Sequence, residues 1–148
     1  MEVYRITLTE YSEQLTAPGT EGRWNSRGKF VIYTAGSIAL ACLENLVHRN
    51  SEGLKSLFSV LSIDIPTTIK IKTIHEAELP KGWLKIHAVS ITRRLGNEWL
   101  ASPGSAVLKV PSAIIAGEYN YLLNPTHPQF KKITILKRQP FEFDNRLK

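Results

Sequence analysis

One cysteine, Cys42, and a single methionine at the N-terminus are all the sulfur in this chain of 148 residues. A lone cysteine forms no internal disulfide and excludes any multi-cysteine metal site. Its neighbours Leu40, Leu43 and Leu46 make it read as a small buried apolar residue rather than a nucleophile. Asp64 and Asp144 are the only aspartates, and no carboxylate pair suited to acid–base glycoside hydrolysis is evident. The histidines (His48, His75, His87, His127) show no H-x-x-x-H spacing, so no metal is expected. No apolar run approaches the ~20 residues a membrane span needs. The opening MEVYRITLTEYSEQ is polar and acidic where a signal peptide is basic and then apolar, so the cytoplasm is the expected location. Also missing are G-x-x-x-x-G-K-[ST], G-x-G-x-x-G and G-x-S-x-G, which removes P-loop, Rossmann and nucleophile-elbow chemistry. Nothing matches a C2H2 finger or an RNP motif.

What is present is an ordinary globular composition, 43% hydrophobic and 22% charged. The length suits a single domain over residues 1–148, able to bury roughly 68–70% of its unfolded surface. A net charge of +6 and a pI near 9.6 permit nucleic acid, a nucleotide or an acidic protein as partner, without choosing among them. Alternating or apolar runs predict strands over residues 2–8, 30–33, 57–65, 69–74, 105–110, 119–123, 133–136 and 141–143. A helix is expected from Ser37, its N-cap, to a stop at residues 50–53, with His48 and Arg49 in the last turn. A second helix is expected from Ser90 through Leu100, with Gly96 inside it at a cost of ~1 kcal/mol relative to alanine. Two helices among six to eight strands, without regular strand–helix alternation, indicate an α+β fold.

The stretch from Gly22 to His48, GRWNSRGKFVIYTAGSIALACLENLVH, holds the most chemistry. A basic loop with Arg23, Trp24 and Asn25 precedes a strand ending at Tyr33, and the loop arginine suits anion binding. In the first helix, i, i+3, i+4, i+7, i+8 spacing at Ala39, Cys42, Leu43, Leu46 and Val47 predicts the core-facing stripe. Glu44, the only acidic residue between Gly22 and Ser51, falls about 100° round from Leu43. Periodicity alone favours a surface glutamate there, while a lone carboxylate beside cations also suits stabilisation of a developing positive charge. Tyr33 reads by default as a core aromatic with its hydroxyl bonded, and Ser112, Asn120 and Asn124 read as strand-end or turn residues.

GRWNSRG, the run ending at Tyr33, LENLVH, GNEWL (Gly96 to Leu100), LKVPSAI (Leu108 to Ile114), NYLLNPTHPQF (Asn120 to Phe130) and FDNRL (Phe143 to Leu147) occur in that order. Together, from Tyr4 to Leu147, the chain resembles the RES-domain proteins, toxins of bacterial RES–Xre toxin–antitoxin pairs. The resemblance implies an ADP-ribosyltransferase-like fold with a central, mostly antiparallel sheet, although the E-x-E or Q-x-E motif of those transferases is absent. It implies Arg23, Glu44 and Ser112 as the name-giving residues, Tyr33 as their aromatic partner and Asn124 as a wall residue of the site. The implied activity is cleavage of NAD+ with release of nicotinamide, to water or inorganic phosphate. NAD+ is then the substrate, and no further cofactor is expected. The implied partner is an Xre-like antitoxin that reaches into the active site, with no membrane and no direct nucleic-acid binding by this chain alone. The alternatives are ADP-ribosylation of a protein target and a small basic nucleic-acid-binding module, the latter marked by salt-dependent binding.

Overall fold

The computed structural model describes residues 1–48 and 56–147. The expected helix stop at residues 50–53, and Arg49 with it, lies outside the described residues. Seven strands, β1 (Glu2–Leu8), β2 (Ile32–Ala35), β3 (Phe58–Asp64), β4 (Ile71–Thr73), β5 (Val107–Pro111), β6 (Tyr119–Leu123) and β7 (Thr134–Phe141), form one sheet. Their order is β4-β5-β6-β2-β1-β3-β7. Every neighbouring pair is antiparallel except β4 and β5. With two helices, α1 (Ile38–His48) and α2 (Val89–Ala101), the fold is α+β. The last two predicted strands are one continuous β7 on the sheet edge, where Pro140 needs no ladder partner on its open side.

Both helices cover the same face of the sheet. Alternation puts Tyr33 and Ala35 of β2 on that face, opposite Leu122 and Asn120 of β6. Leu122 packs with Trp24, Trp83, Trp99 and Leu108 beneath α2, while Ala35 packs with Ile6, Leu40, Ala41, Phe58 and Val60 beneath α1. The opposite face carries Val3, Ile32, Leu61, Ile63 and Leu123.

Strands β1 and β3 pair over seven residues, whereas β1 and β2 meet only at Tyr4 and Ala35. Beyond that point they part, and the sheet opens. Carbonyls of alternate β1 residues face β3, as the bonds from Ile65 N–H to Met1 and from Thr9 N–H to Leu57 fix by parity. The Ile6 carbonyl therefore points toward the gap, and the Asn45 side-chain amide of α1 donates to it at 3.0 Å.

Helix α1 begins as expected, with Ser37 Oγ accepting the Leu40 N–H at 3.1 Å. Its buried face differs from the predicted stripe. Leu40 and Ala41 are buried, Cys42, Leu43 and Leu46 are half-buried, and Ala39 and Val47 are exposed. The face turned to the sheet runs Leu40, Ala41, Glu44, Asn45, His48, so its apolar half sits on β1 and β2 and its polar half overhangs the gap.

Gly96 explains itself in the packing of α2. A Cβ there would stand 1.7 Å from the Trp24 carbonyl oxygen, so only glycine lets the 22–26 loop lie directly on the helix. In an exposed helix, Gly→Ala would stabilise by ~1 kcal/mol. Here overpacking against backbone should win, and Gly96→Ala is expected to destabilise by roughly 1–3 kcal/mol in urea unfolding. A variant more stable than the parent would refute this reading of the contact.

Candidate active site

A cavity of about 540 Å³ lies where β1 and β2 part, between α1 and the loop of residues 18–24. Its floor is β2 with Tyr33, Thr34 and Ala35, joined by Asn120 of β6. One wall is α1 with Ala41, Glu44, Asn45 and His48, and the other is the loop carrying Glu21, Gly22, Arg23 and Trp24. Arg5 of β1 enters the lining where β1 and β2 part.

Three predicted residues meet here: Arg23, Tyr33 and Glu44. Arg23 Nη1 donates to the Trp83 carbonyl at 3.2 Å, and its guanidinium carbon lies 5.7 Å from the Trp83 ring centre. One N–H is thereby fixed, and the planar head is held on an aromatic face. Tyr33 donates its hydroxyl proton to Asn25 Oδ1 at 2.5 Å and accepts the Trp24 N–H at 3.1 Å. Burial pushes the Tyr33 phenol well above its ordinary value, so it stays protonated and does not serve as a base. Its ring, rather than its hydroxyl, is what the cavity sees.

Glu44 is three-quarters buried, its side chain 25% exposed, so it is not the solvated helix residue that periodicity favoured. One turn on, His48 Nε2 stands 3.6 Å from Glu44 Oε2. The Glu44 carboxylate raises the His48 imidazole above its ordinary value, more than burial lowers it. Glu21, the other carboxylate in the lining, sits at the rim 3.6 Å from Arg93 Nη1.

The remaining predicted residues lie elsewhere. Ser112 is buried outside the lining, and its Oγ accepts the backbone N–H of Ile114 and Ile115 at 3.1 and 3.0 Å. It shapes the β5–β6 connection, of which Ala113 and Ile114 reach the cavity. Asn124, expected as a wall residue, is at the opposite end of β6 from Asn120. Its Nδ2 donates to the Leu100 carbonyl of α2 at 3.4 Å and its Oδ1 accepts from Thr126, so one end of the amide ties to the helix and the other holds a turn.

Sequence reasoning missed Arg5, Asn25, Asn45, His48 and Asn120 as parts of the site or its frame. Arg5 is the most consequential, because burial lowers its guanidinium from the ordinary value and its one described hydrogen bond goes to a carbonyl, that of Thr16 at 3.0 Å. Asn25, 1% exposed, donates to the carbonyls of Thr20 and Lys29 at 2.9 Å each while accepting from Tyr33. Among the described residues no cluster of three or more His, Cys, Asp or Glu could hold a metal, and no helix is long and apolar enough to cross a membrane.

A loop arginine, an aromatic face and one carboxylate on a helix make a chamber suited to a ligand bearing phosphate at one end and a cationic centre at the other. Comparison with known proteins gives the following. The sequence profile of the RES domain family matches residues 2–144. The chain is 37% identical over 153 residues to "Toxin Res" of Yersinia enterocolitica serotype O:8 / biotype 1B, covering all of both chains. It is 38% identical over 130 residues to the "Prs ADP-ribosylating toxin" of Sphingobium sp. (strain YBL2), covering 86% of this chain and 81% of that one. In fold it is similar to a chain of the M. tuberculosis MbcT–MbcA toxin–antitoxin complex, with a TM-score of 0.73 at 18% identity, covering 95% of this chain and 84% of that one.

The Glu44–His48 pair gives a direct check of the geometry. An imidazole raised by a carboxylate contributes stability that is fully present below the unfolded value of 6.5 and is lost as pH rises through the folded one. In an NMR titration His48 is expected to have its midpoint above 6.5 and to fall back toward 6.5 in Glu44→Gln. An unchanged midpoint in that variant would mean that the two side chains do not interact.

Proposed function

The chain belongs to the RES domain family, and from that premise we propose that it is the toxin of a toxin–antitoxin pair, acting by cleavage of the nicotinamide–ribose bond of NAD+. The observation that carries the reading is the half of α1 that overhangs the cavity. It presents one buried carboxylate, Glu44, to a chamber whose other charged walls include Arg5 and Arg23.

In the reaction the C–N bond breaks with its electron pair passing to the pyridinium nitrogen. Nicotinamide thus leaves neutral, and no general acid is needed. The ribose carbon becomes oxocarbenium-like, and Glu44 is the group that stabilises it or holds its hydroxyls. Arg23 and Arg5 receive the diphosphate, planar donors against phosphate oxygens. The Tyr33 ring packs against nicotinamide, its hydroxyl being already committed to Asn25 and Trp24. Ser112 acts through the backbone it braces at Ala113 and Ile114. Water captures the cation to give ADP-ribose and a proton, or inorganic phosphate captures it to give the 1-phosphate. NAD+ is the substrate, and no resident cofactor enters the scheme.

A second reading, transfer of ADP-ribose to a protein, is favoured by the name of the Sphingobium relative. The same Glu44 chemistry serves both, and the acceptor differs. Purified protein with NAD+ separates them: free nicotinamide without labelled protein supports degradation, and labelled protein supports transfer. The proposed partner is an Xre-like antitoxin with an acidic or carboxylate-ended segment that enters the cavity against Arg23 and competes with NAD+. The proposed setting is the cytoplasm, where the NAD+ pool is drained and growth stops.

Glu44→Gln removes the charge at nearly constant shape. Nicotinamide release is expected to fall ~10²–10³-fold while NAD+ binding persists, with stability within ~0.5 kcal/mol of the parent. Parental turnover in the folded variant would remove Glu44 from the mechanism.

A further inference from the structure

One side of the loop that carries Arg23 is held by one face of α2. The Thr92 hydroxyl donates to the Arg23 carbonyl at 2.6 Å, and Arg93 Nε donates to the Gly22 carbonyl at 2.8 Å. Gly96 admits the Trp24 carbonyl against the helix. One turn further on, Asn97 makes a two-point contact with a single residue. Its Oδ1 accepts the Ser26 N–H at 3.1 Å and its Nδ2 donates to Ser26 Oγ at 2.8 Å. Asn97 is half-buried and is not in the lining of the cavity. It faces instead a shallow groove on the outer side of α2. The sequence marks it within GNEWL, and the proposed reaction gives it no part.

We infer that Asn97 is a positioning residue for the substrate site: by fixing Ser26 from outside the cavity it sets where Arg23 projects within it. This deepens the reading of Arg23 as the diphosphate-binding group and rests on it. The segment between the two ends is short. Arg23 is three residues from Ser26, and the carbonyls of Gly22, Arg23 and Trp24 are seated on α2. Freeing Ser26 removes the loop's downstream tie to α2 and leaves that end held by Asn25, through Tyr33, Thr20 and Lys29, so the Arg23 head shifts over Trp83 rather than the loop unfolding. A shift of a positioning arginine weakens the bound state before it touches the reacting carbon, so the effect belongs in KM more than in kcat.

Two variants test this. In Asn97→Ala both contacts are lost, and KM for NAD+ is expected to rise on the order of 10-fold with kcat within about 3-fold of the parent. The Ser26 amide should exchange with deuterium faster, and the melting temperature should drop by only about 2–4 °C. In Asn97→Asp one carboxylate oxygen still accepts the Ser26 N–H and the other accepts from Ser26 Oγ, whose hydroxyl can donate. KM should then return to within about 3-fold of the parent, a recovery that loss of general stability does not predict. Growth arrest in cells gives an arm independent of the substrate: Asn97→Ala should blunt it and Asn97→Asp should restore it. If the parent protein releases no nicotinamide, the NAD+ reading falls, and the arrest arm alone decides the role of Asn97. Parental KM or full arrest with Asn97→Ala, or Asn97→Asp no better than Asn97→Ala, would overturn the inference.

Discussion

The contact between the Trp24 carbonyl and Gly96 is the constraint on which the site depends. It brings a loop and a helix to backbone distance, where a single methyl group would not fit. Around it, Thr92, Arg93 and Asn97 take the loop's polar groups, and Trp24 drops between Trp83 and Trp99 into the core. The loop therefore needs no secondary structure of its own to be held. Its hydrogen-bond partners are supplied by α2 on one side and by Asn25 and Tyr33 on the other. Binding residues on such a loop gain the rigidity of the scaffold without being part of a regular element.

Electrostatically the cavity is a small region of opposed charge rather than a basic patch. The surplus of +6 is spread over the whole chain, while the cavity sets Arg5 and Arg23 against Glu21 and Glu44. Glu21 is engaged at the rim by Arg93, and among the described residues Glu44 has its one ion-pair partner in His48, across 3.6 Å. A partly buried carboxylate with so weak a partner retains most of its field for whatever lies beside it. The half-buried Arg5 presents the reverse case at the point where the strands part.

Much of the fold was legible because buried strands such as β3 and β6 stand out as largely apolar runs. What alternation does not encode is how far two strands stay paired, and the parting of β1 from β2 creates the cavity. Arg5 was hidden for that reason, reading as one polar residue in a half-buried strand. The stripe on α1 was placed on nearly the opposite side of the helix because the helix end overhangs the cavity, where Val47 is free to be exposed and Glu44 is not. Ser112 and Asn124 carried the right polar atoms, but local turns claim them: both side chains bond to backbone within three residues. Side-chain hydrogen bonds of this short range are where sequence patterns separate framework from site least well.

The bond from Asn45 to the Ile6 carbonyl has a further bearing on the shape of the molecule. A sheet whose central strands meet at one residue pair has an edge on the inside, with peptide groups that would otherwise recruit each other and zip shut. Asn45 occupies the first such group beyond the junction, as a stop at the end of a seam. The depth of the chamber is thus a property of where the seam ends, set by a side-chain amide on a helix, and not of the strands that form its floor.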